Sequence, residues 1–224
     1  TALLAPSDDW SIGTKVFVET IAADGTRVGQ LFGVDSRIDM VRGTVPETSI
    51  DNVSMYWAAT TDDRIVGCAR FDEYVLDVRA LDGTPLYEIR RDLPPRPRTD
   101  EEFARVGEEF SMTINDREIE LIPEPNARMI DGVVARPDGA VWAVLRETAA
   151  IDGAAGRVLR VDEFDAEGTY RRQLVFRGDV DHEDTVRLVG DRAFVIHEPG
   201  DEDAGEITLA CYALDGLHGP GSGR

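Results

Sequence analysis

The regular return of short turns between short strands is the feature that most constrains this fold. At 75–80 apolar and charged residues alternate in the order Val-Leu-Asp-Val-Arg-Ala, and a period of two is typical of a half-buried β-strand. Asp82-Gly83 follows, and a second strand-like run returns at 85–90. An Asp-Gly pair between two such runs favours a hairpin, because glycine adopts positive φ without a Cβ clash.

The same unit recurs along the chain in two forms. The first form resembles the hairpin above, and the second is almost wholly apolar, as in the run Ala140–Leu145. Strands without a polar face are typical of positions buried on both sides. The turns of the first form, called outer turns here, lie at Asp24-Gly25, Asp82-Gly83, Glu167-Gly168 and Asp215-Gly216; those of the second, called inner turns, lie at Asp62-Asp63, Asp138-Gly139 and Gly190-Asp191.

Inner and outer turns alternate along the sequence, so each pair of hairpins predicts one four-stranded antiparallel unit. A repeat of about 50 residues with an apolar inner hairpin is typical of a propeller blade. A β-sandwich of similar strands is the alternative, but it would not require the two turn types to alternate. The sequence therefore predicts an all-β chain of β-propeller-type blades, each of four antiparallel strands.

One helix interrupts this pattern. A Pro-rich stretch at 92–98 is followed by Thr99 and Glu102 in the spacing of a capping box. Phe103, Val106 and Phe110 then form one apolar stripe at helical spacing. We therefore expect an inserted helix near 100–111.

These signals predict one propeller-type domain over 1–224. The sequence begins at Thr1 without an initiator methionine, which predicts a processed or trimmed chain. Within the domain the predicted parts are a partial blade and N-terminal segment at 1–50, a blade at 51–93, the Pro-rich linker and helix at 94–127, a blade at 128–178, a last blade at 179–217 and a flexible tail at 218–224.

Charge excludes one class of partner. The 44 acidic and 24 basic residues give a net charge of −20, which argues against binding a phosphate backbone. A GC-rich genome or adaptation to salt would each explain this acidity, and both fit the arginine-rich basic residues, of which only Lys15 is a lysine. No apolar run approaches the ~20 residues of a membrane helix, so no membrane span is predicted.

The strand and turn signatures resemble a known group. Five segments are similar to bacterial six-bladed β-propeller proteins of the NHL-like group. They are the run Ile65–Arg91, the Pro-rich linker, the capped helix, the segment Pro137–Trp142 and the hairpin at 164–170. The resemblance covers roughly Val53 to Gly216. It implies an exported protein, extracellular or periplasmic, whose blade loops bind a ligand. The sequence accounts for only three to four blades, so either the chain is truncated or a second copy completes the ring.

Metal ligands are the strongest chemical candidates. One segment contains four carboxylates and one imidazole, from Asp179, Asp181, His182, Glu183 and Asp184. The carboxylate oxygens would suit calcium, and the same segment together with His197 would suit zinc. Asp201, Glu202 and Asp203 form a second acidic group. Neither matches a calcium loop with its turn glycine, and solvated loops are the alternative. No other cofactor is expected.

Other reactive residues give weaker signals. No G-x-S-x-G or phosphate-binding loop is present, so no catalytic residue is predicted. Trp10, Trp57 and Trp142 are expected in the core, whereas an exposed tryptophan would indicate a sugar platform. Cys68 and Cys211 lie in apolar runs typical of buried free thiols, and a disulfide between them is the alternative.

Taken together, these features predict an exported interaction module without catalytic activity that binds a protein or another extracellular ligand through its blade loops. Two alternatives stay open. One is a metal-dependent propeller hydrolase or lyase. The other is a structural subunit that assembles with copies of itself.

Overall fold

The computed structural model describes residues 11–50, 56–68, 70–108, 110–145, 157–177, 185–189, 192–197 and 208–214. Within them the chain is mostly β-strand, with two helices, which confirms the all-β prediction. The elements up to residue 127 are β1 (Ser11–Ile21), β2 (Arg27–Asp39), β3 (Thr44–Pro46), α1 (Glu47–Ile50), β4 (Trp57–Ala59), β5 (Arg64–Gly67), β6 (Val75–Ala80), β7 (Pro85–Arg90), β8 (Arg96–Pro97), α2 (Asp100–Glu108), β9 (Thr113–Ile114), β10 (Arg117–Glu118), β11 (Glu120–Ile122) and β12 (Asn126–Ala127). They are followed by β13 (Ile130–Ala135), β14 (Val141–Leu145), β15 (Arg157–Phe164), β16 (Tyr170–Arg177), β17 (Thr185–Val189), β18 (Arg192–His197) and β19 (Thr208–Ala213).

Two sheets have four strands that follow one another in chain order. Their orders are β4-β5-β6-β7 and β13-β14-β15-β16. Strands β4 to β7 pair antiparallel with their neighbours, and so do β14 to β16. Central strands are the most buried, as β14 shows with four of its five residues buried. A third sheet, β17-β18-β19, has three strands among the described residues. Two of the predicted four-stranded units are therefore present in the structure, whereas the arrangement of such units around an axis stays a prediction.

The predicted turn residues have the backbone that hairpins require. Gly83 has φ of 88° and its amide donates to the Ala80 carbonyl at 2.9 Å. Asp63 has φ of 62°, in the left-handed region that aspartate tolerates better than most residues. The hairpins that these turns join are therefore confirmed. The turns at 190–191 and 215–216 lie outside the described residues.

The first sheet differs from the simple hairpin pattern. Its order is β1-β2-β3-β11, and β11 pairs with β3 in parallel. A β-bulge in β2 sets Leu31 and Phe32 opposite Val18, between the paired residues at 17 and 19 of β1. Both bulge residues are consequently buried, together with Ile65. A second cluster, of Ile38, Met40, Val45, Ile119 and Leu121, forms the core beside β3 and β11.

Helix α2 begins with the predicted capping box. The Glu102 amide donates to Thr99 Oγ1 at 3.2 Å, and the Thr99 amide donates to Glu102 Oε2 at 3.0 Å. The apolar stripe is only partly as predicted, because Val106 and Phe110 pack on the second cluster whereas Phe103 is exposed. Glu102 is buried, and its two carboxylate oxygens also accept hydrogen bonds from Arg96 Nη1, at 2.9 and 3.0 Å.

The chain divides into two compact units, 1–133 and 134–224, with the boundary inside β13. No helix of the described residues is long and apolar enough to cross a membrane.

Candidate functional site

The predicted metal ligands lie outside the described residues. This applies to Asp179, Asp181, His182, Glu183 and Asp184, and also to the acidic group at 201–203. The backbone of His197 ends β18. Within the described ranges no three His, Cys, Asp or Glu side chains gather into a metal-binding group, so the metal site stays a prediction.

The tryptophans differ in environment. Trp142 is buried as predicted, its Nε1 donates to Glu163 Oε2 at 3.0 Å, and the Arg136 guanidinium lies 4.4 Å from its ring centroid. The prediction for Trp57 is wrong, because its side chain on the short strand β4 is 40% exposed. Trp10 lies outside the described residues.

Both cysteines are free, and they differ in exposure. Cys68 is buried, and burial raises the pKa of its thiol to about 12. Such a thiol stays protonated and is a poor nucleophile. Cys211 is exposed on β19, contrary to the prediction that it is buried. Its Sγ lies 3.6 Å from Arg192 Nη1.

Several loops of the first unit are held by arginines. The Arg128 side chain is buried, with its guanidinium 4.5 Å from the Tyr56 ring centroid and 5.1 Å from that of Phe71. The Arg98 guanidinium also lies against the Phe71 ring, 5.9 Å from its centroid. Arg98 in turn forms a bidentate ion pair with Glu47, at 2.5 and 2.6 Å. These contacts hold the Pro-rich segment and its neighbours within the fold of the first unit.

A shallow concavity of about 380 Å³ is lined by residues of β1 and β2, among them Gly13, Lys15 and Arg37. Its two cations already have partners: Lys15 Nζ lies 4.0 Å from Asp35, and Arg37 Nε donates to Ser11 Oγ at 2.9 Å. The concavity therefore offers little charge to a ligand.

The last sheet carries a more informative surface. Its strand register aligns side chains in rows across three strands, and residues paired in adjacent strands lie on the same face. One face, called the open face here, is formed by Arg187, Val189, Arg192, Phe194, Ile196, Leu209, Cys211 and Ala213.

Exposure differs sharply between the two faces of this sheet. Ala193 and Val195, at the centre of the opposite face, are buried, whereas Tyr212 on the edge strand of that face is 41% exposed. On the open face Val189 is 62% exposed and Leu209 is 61% exposed. Phe194, in the centre of the open face, is only partly buried. The central strand is thus packed on one side, while Val189 and Leu209 present apolar side chains to solvent on the other.

The charge of the open face is opposite to that of the chain. Its two charged residues are Arg187 and Arg192, and none of its eight residues is acidic. The whole chain has 44 acidic residues and a net charge of −20. The open face is therefore an apolar patch that also carries two arginines, on a strongly anionic protein.

Sequence analysis assigned binding to loops and missed this face. A signal was present in the run Ala193–Ile196, which is apolar at four successive positions and so makes both faces of β18 apolar. We interpreted such runs as buried on both sides, which is correct for β14 but not for β18.

Comparison with known proteins does not assign this chain to a family. No protein family and no curated protein matches the sequence. One solved structure that it resembles, the crystal structure of a eukaryotic initiation factor, aligns over 88% of this chain and 38% of that chain, with 10% sequence identity and a TM-score of 0.32. This chain thus spans well under half of that one, and similarity at this level carries no argument about fold or function.

Proposed function

We propose that this chain is an exported, non-catalytic interaction module that binds a protein through the open face of its last sheet. The observation that carries the proposal is the exposure of Val189 and Leu209 beside the partly buried Phe194. Contiguous apolar surface is costly in water, and where it persists it marks an interaction site.

The propeller-type arrangement belongs to the same proposal. Support comes from the first unit, where the β1–β2 ribbon packs against the outer turn of the next sheet. A Cβ placed on Gly29 would lie 2.1 Å from the Asp82 carbonyl oxygen, and one on Gly83 would lie 2.5 Å from that of Gln30. Outer turns that approach backbone to backbone are what side-by-side blades require.

Self-assembly is the second candidate, because the open face would serve it equally well. Two copies that cover each other's open faces would remove the same apolar side chains from water. Sedimentation velocity over a range of protein concentrations separates the candidates. A dimer that Leu209→Asp disrupts would favour assembly, whereas a monomer at all concentrations would favour a different partner.

The test of binding is site-specific photo-crosslinking. The photoreactive residue p-benzoylphenylalanine replaces Leu209 in the full protein, expressed in the organism that encodes it. Leu86 is the matched control, since it is also an exposed leucine, 47% accessible, on the outer strand of another sheet.

We expect a discrete crosslinked protein from position 209 that is absent from position 86. A second substitution on the open face, Val189→Asp, should remove this product. Equal labelling at both positions, or a product that Val189→Asp leaves unchanged, would contradict the proposal.

A further inference from the structure

We infer that Asp24-Gly25, the outer turn between β1 and β2, is a site of spontaneous isoaspartate formation in the folded protein, and that the matching turn at Asp82-Gly83 is protected from this reaction. The inference is independent of the proposed function and involves no partner. It rests on two turns that share their local geometry and differ in what packs on them.

Isoaspartate forms when the amide nitrogen of the next residue attacks the aspartate carboxyl group. At this site the Gly25 nitrogen would bond to Asp24 Cγ, and the carboxyl hydroxyl would leave as water with the amide hydrogen. One water molecule then opens the resulting succinimide at either carbonyl, which gives aspartate or isoaspartate. A glycine in the second position favours the attack because no Cβ hinders its nitrogen.

Two hydrogen bonds oppose this attack while the turn is formed. The Thr26 amide donates to Asp24 Oδ1 at 2.9 Å, and the Gly25 amide donates to the Ala22 carbonyl at 2.9 Å. The first bond engages the carboxylate and the second engages the attacking nitrogen. Isoaspartate formation at Asp24 therefore requires the turn to open.

The turn at Asp82 has the same two bonds. The Thr84 amide donates to Asp82 Oδ1 at 2.9 Å, and the Gly83 amide donates to the Ala80 carbonyl at 2.9 Å. The φ angles of Gly25 and Gly83 are 84° and 88°. In each turn the amide that bonds to the aspartate lowers the pKa of its carboxyl group. Local geometry therefore does not distinguish the two sites.

Packing distinguishes them, because the β1–β2 ribbon lies on the Asp82 turn. The Thr20 hydroxyl donates a hydrogen bond to the Leu81 carbonyl. A Cβ placed on Gly83 would lie 2.5 Å from the Gln30 carbonyl oxygen. The Asp82 turn can therefore open only if the ribbon first moves away from it.

The Asp24 turn has no such cover. Within the described part of the chain, a Cβ placed on Gly25 would meet nothing within 4 Å, and residues 23–28 are all exposed. Even the apolar residues of this tip, Ile21 and Val28, are 62% and 46% exposed. A segment with few buried contacts opens locally at a low free-energy cost, so the Asp24 turn opens without unfolding of the protein.

The experiment incubates the full protein at neutral pH in water enriched in heavy oxygen, with a parallel sample in guanidinium chloride. Trypsin releases the two turns in separate peptides, 16–27 and 80–90. Liquid chromatography with electron-transfer fragmentation identifies isoaspartate in each peptide. Incorporated heavy oxygen reports each hydrolysis of a succinimide, which otherwise leaves the mass of the peptide unchanged.

We expect isoaspartate in the folded protein to accumulate at Asp24 at least about tenfold faster than at Asp82. In guanidinium chloride the two rates should become similar, because both sites read Asp-Gly-Thr. Equal rates at the two sites in the folded protein would overturn the inference. Isoaspartate at Asp24 in the denatured sample alone would also overturn it.

Three variants test the cause of the difference, each after its circular dichroism spectrum has been matched to that of the parent. Asp24→Glu is the control for the chemistry, because a glutamate would need a less favourable six-membered ring; it should abolish the product at position 24 and leave Asp82 unchanged. Thr20→Val removes the hydrogen bond to Leu81, and Gly29→Ala forces the ribbon away from Asp82. Both should raise the rate at Asp82 and leave the rate at Asp24 unchanged. An unchanged rate at Asp82 in both variants would show that the ribbon does not protect this turn.

Discussion

Gly29 lies so close to Asp82 that no other residue fits: a Cβ at position 29 would sit 2.1 Å from the Asp82 carbonyl oxygen and 2.2 Å from its carbonyl carbon. The contact is backbone against backbone, so no side-chain rotation relieves it. Thr20, which pairs with Gly29 in the neighbouring strand, donates a hydrogen bond from its hydroxyl to the Leu81 carbonyl. The ribbon of β1 and β2 is therefore held on the outer turn between β6 and β7.

The first prediction follows from this contact. Gly29→Ala forces the ribbon away from Asp82 and should lower the free energy of unfolding by about 1–3 kcal/mol, the usual cost of overpacking. Gly13→Ala is the matched control, because it lies in the same ribbon and a Cβ there meets nothing within 4 Å. Urea unfolding followed by tryptophan fluorescence measures both. Equal stability of the two variants would contradict the close approach.

The second prediction concerns the buried ion pair between Arg98 and Glu47. Their side chains are 3% and 11% exposed, and the remaining partner of Glu47 Oε2 is the Glu124 amide at 2.9 Å. Arg98→Met leaves a buried carboxylate without its cation and should cost about 3–5 kcal/mol in unfolding free energy.

A matched control for this variant is Arg105→Met, which removes the same charge from an exposed pair with Glu101 at 4.0 Å. We expect that change to cost less than about 0.5 kcal/mol in urea unfolding. Similar losses of unfolding free energy in the two variants would mean that burial of the Arg98–Glu47 pair does not determine its contribution to stability.

The third prediction concerns the two thiols. In native protein at pH 8 a disulfide reagent such as DTNB should label Cys211 alone, because Cys68 is buried and its pKa is raised to about 12. Unfolding in urea should expose the second thiol. The variant Cys211→Ser isolates the labelling of Cys68. Fast labelling of both cysteines in the native protein, or of Cys68 in this variant, would contradict the burial of Cys68.

The Cys68 thiol also predicts a stability change with pH. Its folded pKa is above the ordinary value of 9.0, so the folded state holds the proton more tightly than the unfolded state does. Stability from this group is present below pH 9 and is lost as the pH rises toward 12. Cys68→Ala should lose less stability than the parent over that interval in urea unfolding, and parallel losses would contradict the assignment.

Sequence reasoning was most successful where the determinants are local. The turns at Asp24-Gly25 and Asp82-Gly83, and the Thr99–Glu102 cap, depend on residues at most a few positions apart, and each forms as predicted. Backbone conformation at such sites is decided by the residues themselves. The hairpins that contain these turns could therefore be predicted from the sequence.

The features that sequence reasoning missed depend on residues far apart in the chain. Pairing of β11 with β3 and the ion pair of Arg98 with Glu47 join segments separated by more than 50 residues, and no periodic pattern encodes such partners. The open face was missed for the same reason. The apolar run at 193–196 shows that both faces of β18 are apolar, but whether another element covers each face depends on the rest of the fold.

The last prediction concerns Asp77, which pairs with Glu88 across strands β6 and β7. Burial, and to a smaller extent the nearby Glu88 charge, raise the pKa of the Asp77 carboxyl above its ordinary value of 3.8 despite the arginines beside it. The folded state therefore favours the protonated form, so this group stabilises the fold at low pH and the contribution is lost as the pH rises through the folded pKa.

Asp77→Asn removes the ionisation while keeping the shape of the side chain. Relative to the parent, the variant should become progressively more stable as the pH rises from about 3 to 7, because only the parent acquires a charge in a partly buried site. Urea unfolding at a series of pH values measures the difference. A difference for Asp77→Asn that stays constant, or that shrinks toward pH 7, would show that the surrounding arginines outweigh burial at this position.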